Sequence, residues 1–407
     1  MLRYIYQTIF LLLTVTIFPL SASPTLATEE AIHPYDSLRV SLITCDPGPD
    51  VYQIFGHTAI RIVNEGEQHF DLAFNYGIFS FTDDFVFKFV KGETDYLLGV
   101  YDFKDFMIDY VQRESSVYEQ VLNLTPDEKE YLLNSLIINA QPQNRKYRYN
   151  FLYDNCATRP RDFINRTTHH HQEKVQWNNN EQHASFREII HHYGSNYSWL
   201  LFGIDLALGR ELDREASWHE QMFIPLILQE ACRKADITAT DGTTRPLVAQ
   251  EQVVFNSGSI PLLPPTPWYL SPLFTTSLLL LLTILITWHD TRHHRISRWY
   301  DTIINLLFFA MSIIIYFLII YSEHPATTIN INALWITPLS ILPPILLWIR
   351  KAHNTLRWYY IAHLLLLATF IVLALCNVQY INIAVYPLIA LSAIRACNFI
   401  KHHKTSI

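Results

Sequence analysis

Cys156 lies in the run Tyr153-Asp154-Asn155-Cys156-Ala157-Thr158-Arg159-Pro160-Arg161-Asp162, and His57 lies far upstream in Gly56-His57-Thr58-Ala59-Ile60-Arg61. Alone, each has a bland explanation: a buried structural cysteine, a half-buried histidine. Together they are the parts for thiol acyl chemistry. An imidazole removes the thiol proton, and a third polar group fixes the tautomer of that imidazole. The backbone N–H of Cys156 and that of a neighbour then face a developing oxyanion.

The elements around them must bring the two together. Residues 57–63 alternate, with Thr58, Ile60 and Ile62 on one face of a strand and His57, Ala59 and Arg61 on the other. The polar stretch Asn64-Glu65-Gly66-Glu67 follows, and then a second strand-like run, residues 70–77. This is a hairpin signal. A tight turn sets position 57 opposite about position 74, which places Asn75 beside His57, with Asp71 as the alternative partner. Near Cys156 an aromatic strand runs into Asp/Asn and a helix opens. A helix N-terminus lowers a thiol pKa, and Arg159 and Arg161 add positive field. Pro160 fits best in a first helical turn, so Thr158 is a candidate cap with Cys156 just before the helix. Thr125-Pro126-Asp127-Glu128 is a capping box with Pro at the first helical position.

The rest of the chain says where this chemistry happens. Of 407 residues, 50% are hydrophobic and 16% charged, fewer charges than a soluble domain carries. Aromatic residues reach 14%, which excludes a disordered chain. The net charge of −7 gives no nucleic-acid footprint, and no Gly-rich phosphate loop is present. Residues 1–27 read as a secretory signal: Arg3, an apolar stretch, then small residues before a cut after Ala27. Residues 28–265 are polar enough for an exported domain. Residues 266–407 hold about five apolar segments, at 269–288, 302–321, 333–349, 358–376 and 381–394. The third contains Pro338, Pro343 and Pro344 and must be kinked. Arg292, Arg295, Arg298, Arg350, Lys351, Arg357, Arg395, Lys401 and Lys404 fall in alternate loops and the tail, whereas 322–332 and 377–380 have no Lys or Arg. The positive-inside rule therefore puts the basic loops and the C-terminus in the cytoplasm and the N-terminal domain outside. Cys45, Cys156 and Cys232 share that outer compartment, and an odd number leaves at least one thiol unpaired. Cys45 is a rival nucleophile, but it precedes a Pro-Gly turn with no helix after it. It is expected to pair with Cys232 or to line the cleft.

The elements Gly-His57-Thr-Ala-Ile-Arg61-Ile, Phe-Asn75-Tyr76-Gly, Tyr-Asp-Asn155-Cys156-Ala-Thr-Arg159 with Arg161-Asp162, and Cys45-Asp-Pro-Gly resemble the Lnb-type bacterial lipoprotein N-acyltransferase family. Its periplasmic domain is similar to the circularly permuted NlpC/P60 and LRAT-like papain group, where His precedes the Asn-Cys dipeptide. The resemblance implies an α+β exported domain on an all-α transmembrane helix bundle in the bacterial inner membrane. It implies acyl transfer from a phospholipid to the N-terminal amine of a diacylglyceryl-cysteine lipoprotein. Cys156, His57 and Asn75 would be catalytic, with Asp71, Tyr76, Asn155, Arg159, Arg161 and Arg61 supporting. The partners are then a phospholipid donor, a lipoprotein acceptor and the bilayer, with no cofactor, metal or nucleic acid. Pro160 departs from the motif.

Other features read more plainly. The histidines from His169 to His183 suggest a solvated loop or a lid. His219-Glu220 lacks the second His of a zinc protease helix. Asp205, Arg210 and Asp213 read as structural pairs. His363 is an ionisable group within a span, and Arg395 is placed to snorkel to the cytoplasmic face. The competing classes are a cysteine peptidase or amidase acting on cell-wall peptide or lipoprotein, and a non-catalytic sensor. Several spans disfavour the former, since a wall amidase needs one anchor at most. The intact Cys and His disfavour the latter.

Overall fold

The structure is a computed structural model, and it describes residues 35–404 apart from 81, 179–182 and 261–262. The expected signal segment, residues 1–27, lies outside the described residues. Twelve strands are present among those described. The first six are β1 (Leu38–Cys45), β2 (His57–Asn64), β3 (Phe70–Ile78), β4 (Asp95–Asp102), β5 (Val117–Leu122) and β6 (Lys146–Arg148). The later six are β7 (Lys174–Gln176), β8 (Ala184–Ser185), β9 (Glu215–Ala216), β10 (Asp236–Thr238), β11 (Thr244–Pro246) and β12 (Val248–Phe255). Seven form one sheet in the order β12-β5-β1-β2-β3-β4-β6, with antiparallel neighbours.

The alternation along β2 sorts the two faces. Ile60 and Ile62 join Phe74, Tyr76 and Leu98 in a core roofed by helices Pro126–Ala140, Thr158–His170 and Pro225–Lys234. Ala59, Ala73, Cys45 and Val117 pack against Phe103, Phe106 and Tyr110 of helix Phe103–Gln112. The capping box at Thr125 is formed, with Pro126 opening its helix. The result is an α+β domain in which the His-bearing strand precedes the Cys-led helix.

The hairpin β2–β3 is formed in a different register from the expected one. Asn64 pairs with Phe70 and Ile60 with Phe74, so the connection spans residues 65–69 rather than a tight turn. Continued along the strands, this register sets His57 opposite Gly77, with Asn75 on the diagonal and on the same face.

The C-terminal region is helical. Three helices, Pro272–Arg292, Arg298–Tyr321 and Arg350–Leu375, are long and apolar enough to cross a membrane, and the broken pair Pro325–Leu334 and Pro338–Leu346, bent by 48°, could supply a fourth. The bend falls directly before Pro338, whereas Pro343 and Pro344 sit in the first turn of the short helix Leu342–Leu346. The fifth expected segment is a helix, Val385–Lys404, that starts later and runs further than residues 381–394. It carries Arg395, which does not snorkel. Arg395 is buried and holds Asp301 and Asp290 at 2.5 and 2.9 Å. A helix enclosed by its neighbours needs no apolar belt, which is why its composition is mixed. His363 is also inside, with Nε2 2.7 Å from Ser392 Oγ.

Two seams join the regions. Glu323 N donates to Lys91 O (2.7 Å), Ser322 Oγ to Val90 O (2.9 Å), and His324 Nε2 lies 2.8 Å from Phe89 O. At the second seam Gly209 N donates to Ala326 O (2.7 Å), and Asn332 and Asn382 side chains donate to Asp205 at 3.1 and 2.8 Å. The backbones meet so closely here that a Cβ on Gly209 would come 2.0 Å from Ile329 O. Asp205 and Asp213 both hold Arg187, at 2.8 and 2.6 Å, so the two acids are structural as expected, but their cation is Arg187 and not Arg210.

Candidate active site

Cys156 ends a tight loop at the mouth of helix Thr158–His170. The local architect is Asn155. Its Oδ1 accepts from the N–H groups of Ala157 (2.8 Å) and Thr158 (3.0 Å), two of the orphan donors of the helix start. Its Nδ2 donates to Phe151 O and Phe223 O, each at 2.9 Å, which anchors the loop to two other segments. Thr158 Oγ1 accepts from Asn155 N at 2.8 Å. Pro160 occupies the first turn, where its missing N–H is not needed. Cys156 therefore stands just ahead of the helix.

The thiol meets the start of β2. The backbone N–H groups of Thr58 and of Cys156 itself favour the thiolate form of the sulfur. Beside it β3 breaks register between Tyr76 and Ile78. Gly77 sits in this bulge with φ +104°, a value that side-chain-bearing residues rarely adopt. A Cβ built on Gly77 would lie 3.6 Å from His57 Cε1 and 3.8 Å from Cys156 Cβ. The bulge is thus the meeting point of thiol and imidazole.

His57 Nε2 is 2.6 Å from Asn75 Oδ1. An amide oxygen only accepts, so Nε2 carries the proton and Nδ1 keeps its lone pair. The ring stacks on Tyr110, centroids 6.3 Å apart, and Arg113 lies over the other part of that stack, 4.2 Å from the Tyr110 centroid. Burial pulls the His57 pKa down to about 4, against the hydrogen bond of Asn75, with Arg113 adding to the fall. Burial pushes the Cys156 thiol up to about 11, against the two N–H donors. At neutral pH both groups are therefore uncharged. This corrects the expected lowering of the thiol pKa: desolvation outweighs the helix terminus here, and the arginines face elsewhere. Arg159 pairs with Asp154 at 2.5 Å and lies 4.0 Å over Tyr147. Arg161 pairs with Asp162 (2.8 Å) and donates to His219 O (2.7 Å).

The other expected residues divide sharply. Asn155 adjoins the site. Asp71 does not orient His57; it is held by Arg61 at 2.8 and 2.6 Å, while Arg61 also reaches Glu119 at 3.0 Å. Tyr76 points into the opposite core face and donates to Asn139 Oδ1 at 2.6 Å. Cys45 pairs across the strands with His57, yet it is fully buried, hydrogen-bonded by Tyr110, and its pKa is raised far by burial. It is not bridged to Cys232, since all five cysteines are free. The expected lid is also elsewhere. Its described part pairs as β7 with β10, and Trp177 Nε1 donates to Asn165 at 3.0 Å, two turns into the helix that Cys156 precedes. His170 stacks on Tyr131 at 4.0 Å, and among the described residues no His/Cys/Asp/Glu group has metal-holding geometry.

Sequence patterns gave no sign of Tyr110 and Arg113, which come from a helix with no motif. Gly77 was visible as the end of Phe-Asn-Tyr-Gly, but its role depends on the bulge.

A thiol, an imidazole and an amide gathered at one end of an exported sheet domain, itself sewn to a helical membrane region, are the layout of a membrane-bound enzyme with an extracytoplasmic domain. Residues 27–191 match the Lnb N-terminal periplasmic domain and residues 265–406 match the Lnb transmembrane domain; the chain belongs to the Lnb family. No curated protein and no solved structure matches it.

Proposed function

We propose that the protein is a cysteine-dependent acyltransferase that moves an acyl chain from a phospholipid to the N-terminal amine of a diacylglyceryl-cysteine lipoprotein. The observation that carries this reading is the convergence of Cys156, His57 and Asn75 at Gly77 on a loop that faces the membrane region: Phe151, which accepts from Asn155, has its ring 5.3 Å from that of His324. Family membership supports the reading. So does geometry, because a catalyst held at the bilayer raises the effective concentration of two membrane-bound substrates.

In this reading the ester carbonyl enters beside the sulfur. His57 Nδ1 takes the thiol proton as sulfur attacks the carbonyl carbon. The N–H groups of Thr58 and Cys156, freed from the sulfur as it bonds carbon, face the oxyanion. The C–O bond breaks, and the imidazolium returns its proton to the departing lysophospholipid alkoxide. The acyl group now rests on Cys156 as a thioester. A neutral α-amine attacks it, His57 removes a proton from that nitrogen, and the sulfur leaves and is reprotonated. The neutral resting pair suits this sequence, since thiolate forms only when a bound carbonyl can receive it. The orientation is that of the basic-loop asymmetry, with residues 28–265 and the loops 322–332 and 377–380 on the periplasmic side of the inner membrane.

The test is trapping. The full chain, incubated with radiolabelled phospholipid and no acceptor, is expected to carry label on Cys156 that neutral hydroxylamine removes. An active preparation that never shows this adduct would overturn the covalent route. Intact mass of an exported lipoprotein with and without the enzyme then reports the acceptor.

A further inference from the structure

Helix Phe85–Lys91 buries none of its seven side chains. Val86 is 70% exposed, Phe87 58% and Phe89 36%. Water-facing surfaces rarely carry so dense an apolar cluster. Its position explains the composition. The Phe87 ring lies 5.6 Å from the ring of Phe317, which belongs to the membrane-crossing helix Arg298–Tyr321. Phe317 is four residues from the end of that helix, about 6 Å inside it at 1.5 Å per residue. Around it Ile313, Ile314 and Ile320 also face outward. The carbonyls of Phe89, Val90 and Lys91 are pinned by His324, Ser322 and Glu323, so the short helix cannot drift from that level.

A row of rings leads from this helix to the thiol. Phe89 to Phe85 is 6.1 Å between centroids, Phe85 to Phe79 5.1 Å, and Phe79 to Tyr96 5.0 Å. Tyr96 stacks at 4.1 Å on Tyr149, seven residues ahead of Cys156. Phe79 follows Gly77, the contact point of thiol and imidazole, by two residues.

We propose that helix Phe85–Lys91 is immersed in the outer leaflet of the bilayer, and that the row Phe89, Phe85, Phe79, Tyr96 is the track along which one phospholipid acyl chain leaves the bilayer to bring its ester to Cys156. The occupant is lipid because the exposed face continues the apolar belt of a membrane-crossing helix. Aromatic rings suit an alkyl chain, which needs contact area without polar partners. The track rests on the acyl-transfer reading; the immersion does not.

Two measurements on the full chain in phosphatidylethanolamine–phosphatidylglycerol proteoliposomes test it. Benzoylphenylalanine at position 87, irradiated, is expected to yield protein bearing the mass of one phospholipid. Crosslinking with no lipid adduct would overturn the immersion. For the track, formation of the Cys156 adduct is compared for a dipalmitoyl donor and a dihexanoyl donor below its micelle concentration. Phe85→Ser and Phe79→Ser are each expected to lower the preference for the long-chain donor by about tenfold or more, the scale of one lost apolar contact, and Phe85→Leu to restore most of what Phe85→Ser loses. Equal loss with both donors, or no change in preference, would overturn the track. Failure of the unaltered enzyme to form the adduct with either donor would sink the acyl-transfer reading and the track with it, while the crosslink still decides the immersion.

Discussion

The residue-scale consequence of burial is a thiol that is quiet until it is used. Iodoacetamide should modify Cys156 slowly at pH 7, and the rate should climb with pH up to about 11. A preformed thiolate–imidazolium pair would instead react fast and independently of pH, so the alkylation profile distinguishes them. Cys156→Ser should abolish transfer without changing the fold. His57→Ala should lower it about 10²–10⁴-fold, the usual share of a positioned acid–base. Asn75→Ala should lower it by about 10²-fold through misorientation of the ring, whereas Asp71→Asn, at a side chain held by Arg61, should leave the pH profile of transfer unmoved. The lowered His57 pKa also has a sign for stability. The unfolded imidazole takes a proton below about 6.5, and the folded one only near 4. Unfolding therefore binds a proton in that window, and stability falls as pH drops through it. Melting temperatures of the full chain between pH 7 and 4 should decline less steeply in His57→Gln than in the parent.

At the scale of elements, most of the site could be read in advance because period and punctuation are local. The alternation of β2, the second strand and the helix after Cys156 all follow from residue order. What was not legible is register and direction. The loop at residues 65–69 shifts the pairing by about three residues, and Asn75 still reaches His57 only because the diagonal neighbour shares its face. Arg159 and Arg161 look like thiol activators in a string and are spent on Asp154, Asp162 and a carbonyl in three dimensions. Tyr110 and Arg113 reach the site from a helix on the other sheet face, a tertiary fact without local signature. The bulge at Gly77 is the most specific of these elements. Gly77→Val must adopt φ near +104° and is expected to lose about 1–3 kcal/mol, with transfer reduced more than stability. Calorimetry and a turnover assay on one preparation check both.

At the scale of the whole molecule, the membrane region is held by charges that its apolar composition hides. Arg395→Leu would leave Asp290 and Asp301 buried without their cation, at about 3–5 kcal/mol. The expected outcome is aggregation in detergent at markedly lower temperature. The seam at Asp205 joins Arg187, His191, Asn332 and Asn382 from both regions. Asp205→Ala should expose it to limited proteolysis while leaving the sheet intact. All five cysteines are free, and Cys45 and Cys232 are sealed in the core. Assembly of this exported domain thus asks nothing of thiol-oxidising helpers, and its yield should be the same in cells that lack them. Melting with and without dithiothreitol should coincide, and a cell-free synthesis kept reducing throughout should deliver the same fold.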